Sequence, residues 1–378
     1  MRVGVDYTPA VRQWAGVGRY TRELVKALLQ APETPQFTLL ISKDAIINQT
    51  EMAGFAPQRL CRLPLSERAL QFLWHRLQIP WSVEQWTGPI DIFHSTNFTL
   101  PPLRSARGIV TVHDLAFMRL PECAEPGLRR YLSKAVPASL RRAHHVLADS
   151  EATRQDLIEL LQVPEGRISV AYCGEDERFR QEVSQVKRRR VREKHQLSWP
   201  YFLSVCTIEP RKNLRTLIAA FAQAQQDGNW PHHLVLAGAR GWLTDCIYRA
   251  PADFSIEDKV HFLGKLDDED LVGLYAEADV FVFPSLYEGF GLPPLEALAI
   301  GTPVIANATS SLPEVVGDAG LLVQATDPSS LAEAMSKVLS DTALQAELRR
   351  KGPQQAAKFT WQRTAQVVLA AYQQVRER

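Results

Sequence analysis

The chain has little of what marks a disulfide scaffold, a zinc module, a membrane span or a polyanion-binding surface. Its five cysteines, Cys61, Cys123, Cys173, Cys206 and Cys246, are scattered over 378 residues with no Cys-x-x-Cys pair. That spacing argues against a structural zinc site and suggests a reducing compartment. No run of about 18 apolar residues occurs, so no segment is read as crossing a bilayer. Charge of one sign is also missing: 43 Lys and Arg stand against 42 Asp and Glu. No global field therefore points to nucleic acid, and contact with a membrane surface would need a local patch. Met1-Arg-Val-Gly-Val-Asp6 reads as an opening strand rather than a signal peptide, which sets the expectation of a cytoplasmic protein.

What is present is an alternation of short apolar runs with helical patterns. The length exceeds one ordinary core and predicts two domains of about 150–200 residues. Strands are predicted near 3–5, 37–41, 90–93, 108–112 and 145–148, then near 201–205, 233–237, 260–263, 280–283, 303–306 and 320–323. Strands alternating with helices imply an α/β protein with two parallel, doubly wound sheets, which bind ligands at the carboxyl ends of their strands. The halves show no detectable sequence repeat. The linker is expected after Gly174-Glu-Asp176, giving domains at 1–176 and 177–359 and a terminal helix over 360–378. The basic run Val186–Lys194 reads as a solvated helix. It is short and lacks the interleaved aromatics of a nucleic-acid site.

The most informative stretch is Pro284-Ser-Leu-Tyr-Glu-Gly-Phe-Gly-Leu-Pro-Pro-Leu-Glu-Ala-Leu-Ala-Ile-Gly301. It follows the predicted strand at 280–283. Gly289 and Gly291 allow close approach of a ligand to the backbone, Pro293 and Pro294 suit the start of a helix, and Gly301 suits its end. Glu288 is then placed in the loop and Glu296 in the first helical turn, beside free N–H groups able to hold a phosphate or a sugar oxygen. Spacing alone equally allows a surface glutamate and a helix-dipole glutamate. Thr207-Ile-Glu-Pro-Arg-Lys-Asn213 sits at another strand end, where Arg211 and Lys212 place two cations suited to a phosphate. Asn307-Ala-Thr-Ser-Ser-Leu-Pro-Glu314, with Ser310 and Ser311, is a second candidate anchor for a diphosphate.

In the first half, Gly16 and Gly18 open a helix over 21–30, but Thr21 breaks the Gly-x-Gly-x-x-Gly dinucleotide fingerprint. His113 and Asp114 stand at the end of the strand 108–112, where a site role and a structural role are both open. Asp267-Asp-Glu-Asp270 contains an Asp-x-Asp, yet Asp267 reads as the cap of a helix over 269–277 rather than a metal ligand. Trp242, after Ala237-Gly-Ala-Arg-Gly, reads as packed rather than as cover for a base.

Together these motifs resemble the family 4 retaining glycosyltransferases of the GT-B fold. The carriers are the 207–213 and 284–296 motifs, Gly-Thr-Pro-Val-Ile-Ala at 301–306 and Val-Gly-Asp-Ala-Gly at 316–320. Looser carriers are Gly-Val-Gly-Arg-Tyr at 16–20, Val-His-Asp at 112–114 and Ala-Asp-Ser at 148–150. The resemblance covers nearly the whole chain. It implies two Rossmann-like domains facing a central cleft, the first on the acceptor side and the second binding a nucleotide-diphosphate sugar. It further implies that Glu296 holds the nucleotide ribose and Glu288 the transferred hexose. Backbone groups around Gly289, Phe290, Gly291 and Leu292, with Thr207, Ser310 and Ser311, would contact the donor. Arg211 and Lys212 would neutralise the leaving diphosphate, with no metal or other cofactor required. Gly16, Gly18 and His113 would come from the first domain, and the terminal helix would cross back to it. Cys206 stands where the family often has glycine, and Gly174-Glu-Asp176 where it often has Gly-Val-Asp.

The expected activity is transfer of a hexose, from a donor of the UDP-glucose or GDP-mannose type, to a glycan or lipid-linked acceptor. A sugar-nucleotide epimerase and a non-catalytic sugar-nucleotide-binding protein are the alternatives. Leu70–Trp81 and Arg129–Lys134 pair apolar or aromatic residues with basic ones. They read either as buried helices with solvated cations or as a surface resting on anionic lipid.

Overall fold

The computed structural model describes residues 1–13, 16–46, 59–228 and 230–377. Trp14 and Ala15, in the loop before Gly16, lie outside them. Seven strands form one all-parallel sheet: β1 (Arg2–Asp6), β2 (Gln36–Ile41), β3 (Arg59–Arg62), β4 (Ile92–Ser95), β5 (Arg107–Val112), β6 (His145–Ala148) and β7 (Ile168–Val170). Their spatial order is β3-β2-β1-β4-β5-β6-β7. Six more form a second parallel sheet: β8 (Tyr201–Val205), β9 (His233–Ala237), β10 (Val260–Gly264), β11 (Val280–Phe283), β12 (Val304–Asn307) and β13 (Leu321–Val323), in the order β10-β9-β8-β11-β12-β13. Both sheets run outward from a first strand, then reverse. The reversal falls between β1 and β4 in one and between β8 and β11 in the other, the place where doubly wound sheets open a crevice for ligands.

The central strands are buried on both faces, as helical layers on a parallel sheet demand. Val3, Val5, Ile109 and Val110 in the first sheet, and Phe202, Leu203, Phe281 and Val282 in the second, are fully buried. Each such side chain contributes about 1.5–3 kcal/mol relative to exposure.

The chain divides into two compact units. The first comprises Met1–Arg119, Pro126–Gly174 and Thr360–Arg378; the second comprises Leu120–Glu125 and Glu175–Phe359. The six-residue segment Leu120–Glu125 was not foreseen as part of the second unit. There the Trp242 indole N–H donates to the Cys123 carbonyl at 2.8 Å. The helix Trp361–Glu377 joins the first unit for a legible reason: Trp361, Thr364, Ala365, Val368, Ala371, Tyr372 and Val375 form a buried stripe at helical spacing. The stripe packs on the helix Val17–Gln30, and the Tyr372 hydroxyl meets His94 Nδ1 at 2.8 Å.

Two strands escaped the reading of the sequence. β3 begins and ends on arginine, and β7 is three residues long after a proline and a glycine; both lie at sheet edges. Edge strands need only one apolar face and can be short, so neither shows the buried-run signature.

Candidate active site

Within the second unit, the carboxyl ends of β8 and β11 bring together four charged side chains. The loop after β8 makes a single turn at Pro210–Lys212, ended by Asn213 in the left-handed region at φ 55°. The Asn213 amide donates to the carbonyls of Pro284 and Ala325, tying this turn to the loop after β11. Lys212 Nζ donates to Glu288 Oε1, and Arg211 lies 3.0 Å from Glu288 Oε2. Arg211 also pairs with Glu209 at 2.7 Å and donates to the Tyr287 carbonyl at 2.6 Å. Lys212 stands 5.3 Å from the centre of the Phe283 ring.

Glu209, Lys212 and Glu288 are buried. Burial alone would raise the Glu288 carboxyl, but the charges of Arg211 and Lys212 and a hydrogen bond from Ser285 outweigh it and bring it down to about 2. Two carboxylates and two cations make the cluster neutral. Removing one member would leave an uncompensated buried charge, at about 3–5 kcal/mol. The cations are thus oriented before any anion arrives, which is what stabilisation of developing charge requires.

The remaining donor candidates of this unit frame the same loop. Ser285 donates to Glu288 Oε1 at 2.6 Å. Ser310, at φ 50°, accepts from the Glu288 N–H at 2.9 Å, and Ser311 donates to the carbonyls of Glu288 and Phe290. Gly289 and Phe290 complete the bend, and the Phe290 ring packs edge-on against Phe359. Gly291, at φ 111°, caps the helix Leu292–Ile300, and Gly301 ends it at φ 88°. Because Leu292 is the first helical residue, Glu296 is the fifth, just beyond the first turn rather than in it. It is buried and accepts from the Tyr275 hydroxyl at 2.9 Å. Thr207 follows β8 beside Cys206, whose thiol burial pushes up to about 12.

His113, Gly16 and Gly18 belong to the first unit. His113 is buried with both ring nitrogens engaged: Nδ1 meets Asp149 at 2.7 Å and Nε2 the Thr96 carbonyl at 2.8 Å. A carbonyl only accepts, so Nε2 carries a proton. Burial lowers the affinity of this ring for a second proton, but Asp149 more than offsets it. Gly16, at φ 55°, caps the helix Val17–Gln30. A Cβ on Gly18 would meet the Gln13 carbonyl oxygen at 1.7 Å, so this glycine is required by the protein's own backbone. Asp267 caps the helix Asp268–Glu277 through the Asp270 N–H, and Asp270 pairs with Lys194 and His195.

Glu209, Ser285 and Tyr275 were not singled out in the sequence. Glu209 had a signal: it lies in the cationic motif, two residues before Arg211 on the same turn. Ser285 had the same signal, lying three residues before Glu288 in the 284–296 motif, whereas Tyr275 had none, since only the fold brings it to Glu296.

Two Rossmann-like units with a preformed ionic cluster at the switch point of the second define a GT-B glycosyltransferase architecture. Comparison with known proteins agrees. The profile of "Glycosyl transferases group 1" matches residues 185–355 and that of "Glycosyltransferase Family 4" residues 14–179. The O-antigen chain mannosyltransferase B of Escherichia coli is 34% identical over 370 residues, covering 94% of this chain and 95% of that protein. A D-inositol 3-phosphate glycosyltransferase of Corynebacterium jeikeium is 29% identical over 333 residues, covering 79% and 78%. Among solved structures, sucrose-phosphate synthase from Thermosynechococcus elongatus superposes with a TM-score of 0.76 at 24% identity, over 99% of this chain and 98% of that one. Anabaena HepE in complex with UDP and glucose also gives 0.76, at 18% identity, over 98% and 99%. The chain belongs to the family 4 glycosyltransferases.

Proposed function

We propose that this chain is a retaining mannosyltransferase that moves mannose from a GDP-mannose-type donor to a glycan or lipid-linked acceptor in polysaccharide biosynthesis. The observation that carries the reading is the buried Arg211–Lys212–Glu288 cluster at the switch point of the second sheet. The similarity to an O-antigen mannosyltransferase over nearly the whole chain supports mannose as the transferred sugar.

In this reading the C1–O bond of the donor breaks with its electron pair passing to the diphosphate. Arg211 and Lys212 exchange their carboxylate partners for phosphate oxygens and stabilise that charge. Glu288, released from part of its ion pairing, accepts from hydroxyls of the sugar. Glu296, oriented by Tyr275, accepts from the ribose. The acceptor hydroxyl attacks the face the leaving group departs, and its proton passes to the leaving phosphate oxygen. Cations and backbone dipoles supply the stabilisation, so no metal is required. Reaction takes place in the cytoplasm. The exposed Phe72, Leu77, Trp81 and Leu128, flanked by Arg68, Arg76, Arg129 and Arg130, give the first unit a face suited to anionic lipid.

The test is a thermal-shift screen of nucleotide sugars, since a cognate donor raises stability by mass action. It is followed by product analysis with and without EDTA, and by flotation with anionic and neutral vesicles. GDP-mannose should give the largest shift, the product should keep the α configuration by NMR, and EDTA should not slow turnover. Donor conversion without any acceptor would favour the epimerase. Preference for another nucleotide sugar, an inverted product, or chelator inhibition would each overturn the corresponding part. Failure to float with anionic vesicles at low salt would remove the membrane contact.

A further inference from the structure

Tyr275, on the helix Asp268–Glu277, is completely buried. Two aromatic rings pack on its own. Phe179 meets it edge-on, with centroids 5.7 Å apart and planes at 83°, and Phe281 of β11 lies 5.2 Å away, tilted by 51°. Neighbours of this kind would accept phenylalanine equally well. The hydroxyl has its use at Glu296, where it donates to Oε2 at 2.9 Å, as a buried hydroxyl needs a partner. The Tyr275 carbonyl in turn accepts from the Thr302 hydroxyl at 2.6 Å.

Phe179 comes from a different part of the chain. It ends the single turn Glu177–Phe179, which begins two residues after the chain enters the second unit at Glu175. That turn is firmly fastened. The Asp176 carboxylate caps it by accepting from the Arg178 N–H at 3.0 Å, and the Phe179 N–H donates to the Asp176 carbonyl at 3.0 Å. Arg178 also reaches Asp268, the first residue of the helix that carries Tyr275, at 2.5 Å. Just beyond the turn, Arg180 pairs with the buried Glu175. The turn is therefore tied to one helix at two levels, Asp268 and, two helical turns later, Tyr275. It packs as well on the helix Leu292–Ile300, which carries Glu296.

These contacts form a short chain of dependence. A glutamate that is to accept from a ribose must have its carboxylate held in one orientation before the ligand arrives. The Tyr275 hydroxyl holds one carboxylate oxygen, and it can do so only while its ring is fixed. We propose that the turn Glu177–Phe179 is a positioning element of the donor site: Phe179 holds the Tyr275 ring, and through it the Glu296 carboxylate, in the orientation that accepts from the nucleotide ribose. The inference rests on the assignment of Glu296 to the ribose and deepens it. Phe179 acts at one remove, with no contact to the nucleotide assigned to it. The first residues of the second unit thereby tune that unit's grip on the donor.

The experiment uses the full chain and calorimetry, with GDP and UDP each set against its 2′,3′-dideoxy counterpart. Wild type should prefer the ribonucleotide by about tenfold or more for the base it binds. Tyr275→Phe, which keeps the ring and removes the hydroxyl, should abolish most of that preference. Phe179→Leu and Phe179→Met should lower it about threefold or more, the methionine variant filling the space of the ring should leucine lower the melting temperature too far. Phe179→Leu combined with Tyr275→Phe should be no worse than Tyr275→Phe alone, since the two act on one hydrogen bond. Phe221→Leu, a fully buried aromatic of the same unit, serves as the control and should lower the melting temperature with the preference unchanged. An unchanged preference in the folded Phe179 variants, losses that multiply in the double variant, or an equal fall in Phe221→Leu overturns the positioning role. A wild-type protein that binds ribo and dideoxy nucleotides equally overturns the ribose assignment itself and this inference with it, so the two failures are told apart by the wild-type ratio.

Discussion

At the scale of single residues, the neutral cluster of Glu209, Arg211, Lys212 and Glu288 makes graded predictions. Lys212→Ala should lower kcat by about 10²–10³, as for loss of one preorganised charge stabiliser, in steady-state assays on protein shown to be folded by circular dichroism. Ser285→Ala removes a hydrogen bond to the Glu288 carboxylate, and its expected effect is a loss of about 10–100-fold in kcat/KM for the donor. An unchanged kcat/KM would show that the ion pairs hold Glu288 without help. The charged members Arg211, Lys212 and Glu288 were legible as candidates because each lies just after a strand in a short motif. The supports were less so. Ser285 shares the motif of Glu288, but Tyr275 looks like one more apolar position of the helix Asp268–Glu277 until the sheet places its hydroxyl against Glu296.

At the scale of elements, buried strands were legible and edges were not, because only a strand covered on both faces must be apolar throughout. β8 and β11 reveal themselves by composition alone; β3 and β7 acquire their identity from the neighbour they pair with. Loop shape was legible only at glycines whose need is local. Gly291 and Gly301 announce the two ends of one helix. Gly238 reads in the sequence only as a flexible loop glycine, yet it sits at φ 146° and a Cβ there would meet the Cys206 carbonyl oxygen at 1.7 Å. Backbone, not a flexible side chain, is in the way. Gly238→Ala should therefore destabilise the second unit by about 3 kcal/mol or more, read as a lower urea midpoint, with the donor-induced thermal shift reduced alongside. A midpoint equal to wild type would mean that the ends of β8 and β9 can part without cost.

At the scale of the whole molecule, the first unit is closed by a helix drawn from the far end of the sequence. The Tyr372 hydroxyl meets His94 Nδ1, and His94 Nε2 meets the Thr111 hydroxyl at 2.8 Å. Burial first, and the neighbouring His113 second, hold His94 neutral and bring its pKa from 6.5 down to about 3. The unfolded chain takes up this proton earlier than the folded one. Its contribution to stability is thus complete above about pH 6.5 and is lost as pH falls toward about 3, at up to about 1.4 kcal/mol per pH unit. Urea unfolding at pH 7 and pH 5 should show a drop that His94→Gln reduces by roughly 1–2 kcal/mol; an equal drop in the variant would place the acid sensitivity elsewhere.

The path of the chain through the units also sets a timetable. Sheet order is complete in the first unit once β7 has been made, but the buried stripe that covers it begins at Trp361. During synthesis the second unit, ending at Phe359, has all its residues before the first does. The first unit must wait, with the face destined for Tyr372 exposed to other apolar surfaces, until the helix Trp361–Glu377 has left the ribosome. Chaperone demand in the cell should accordingly track the first unit rather than the second.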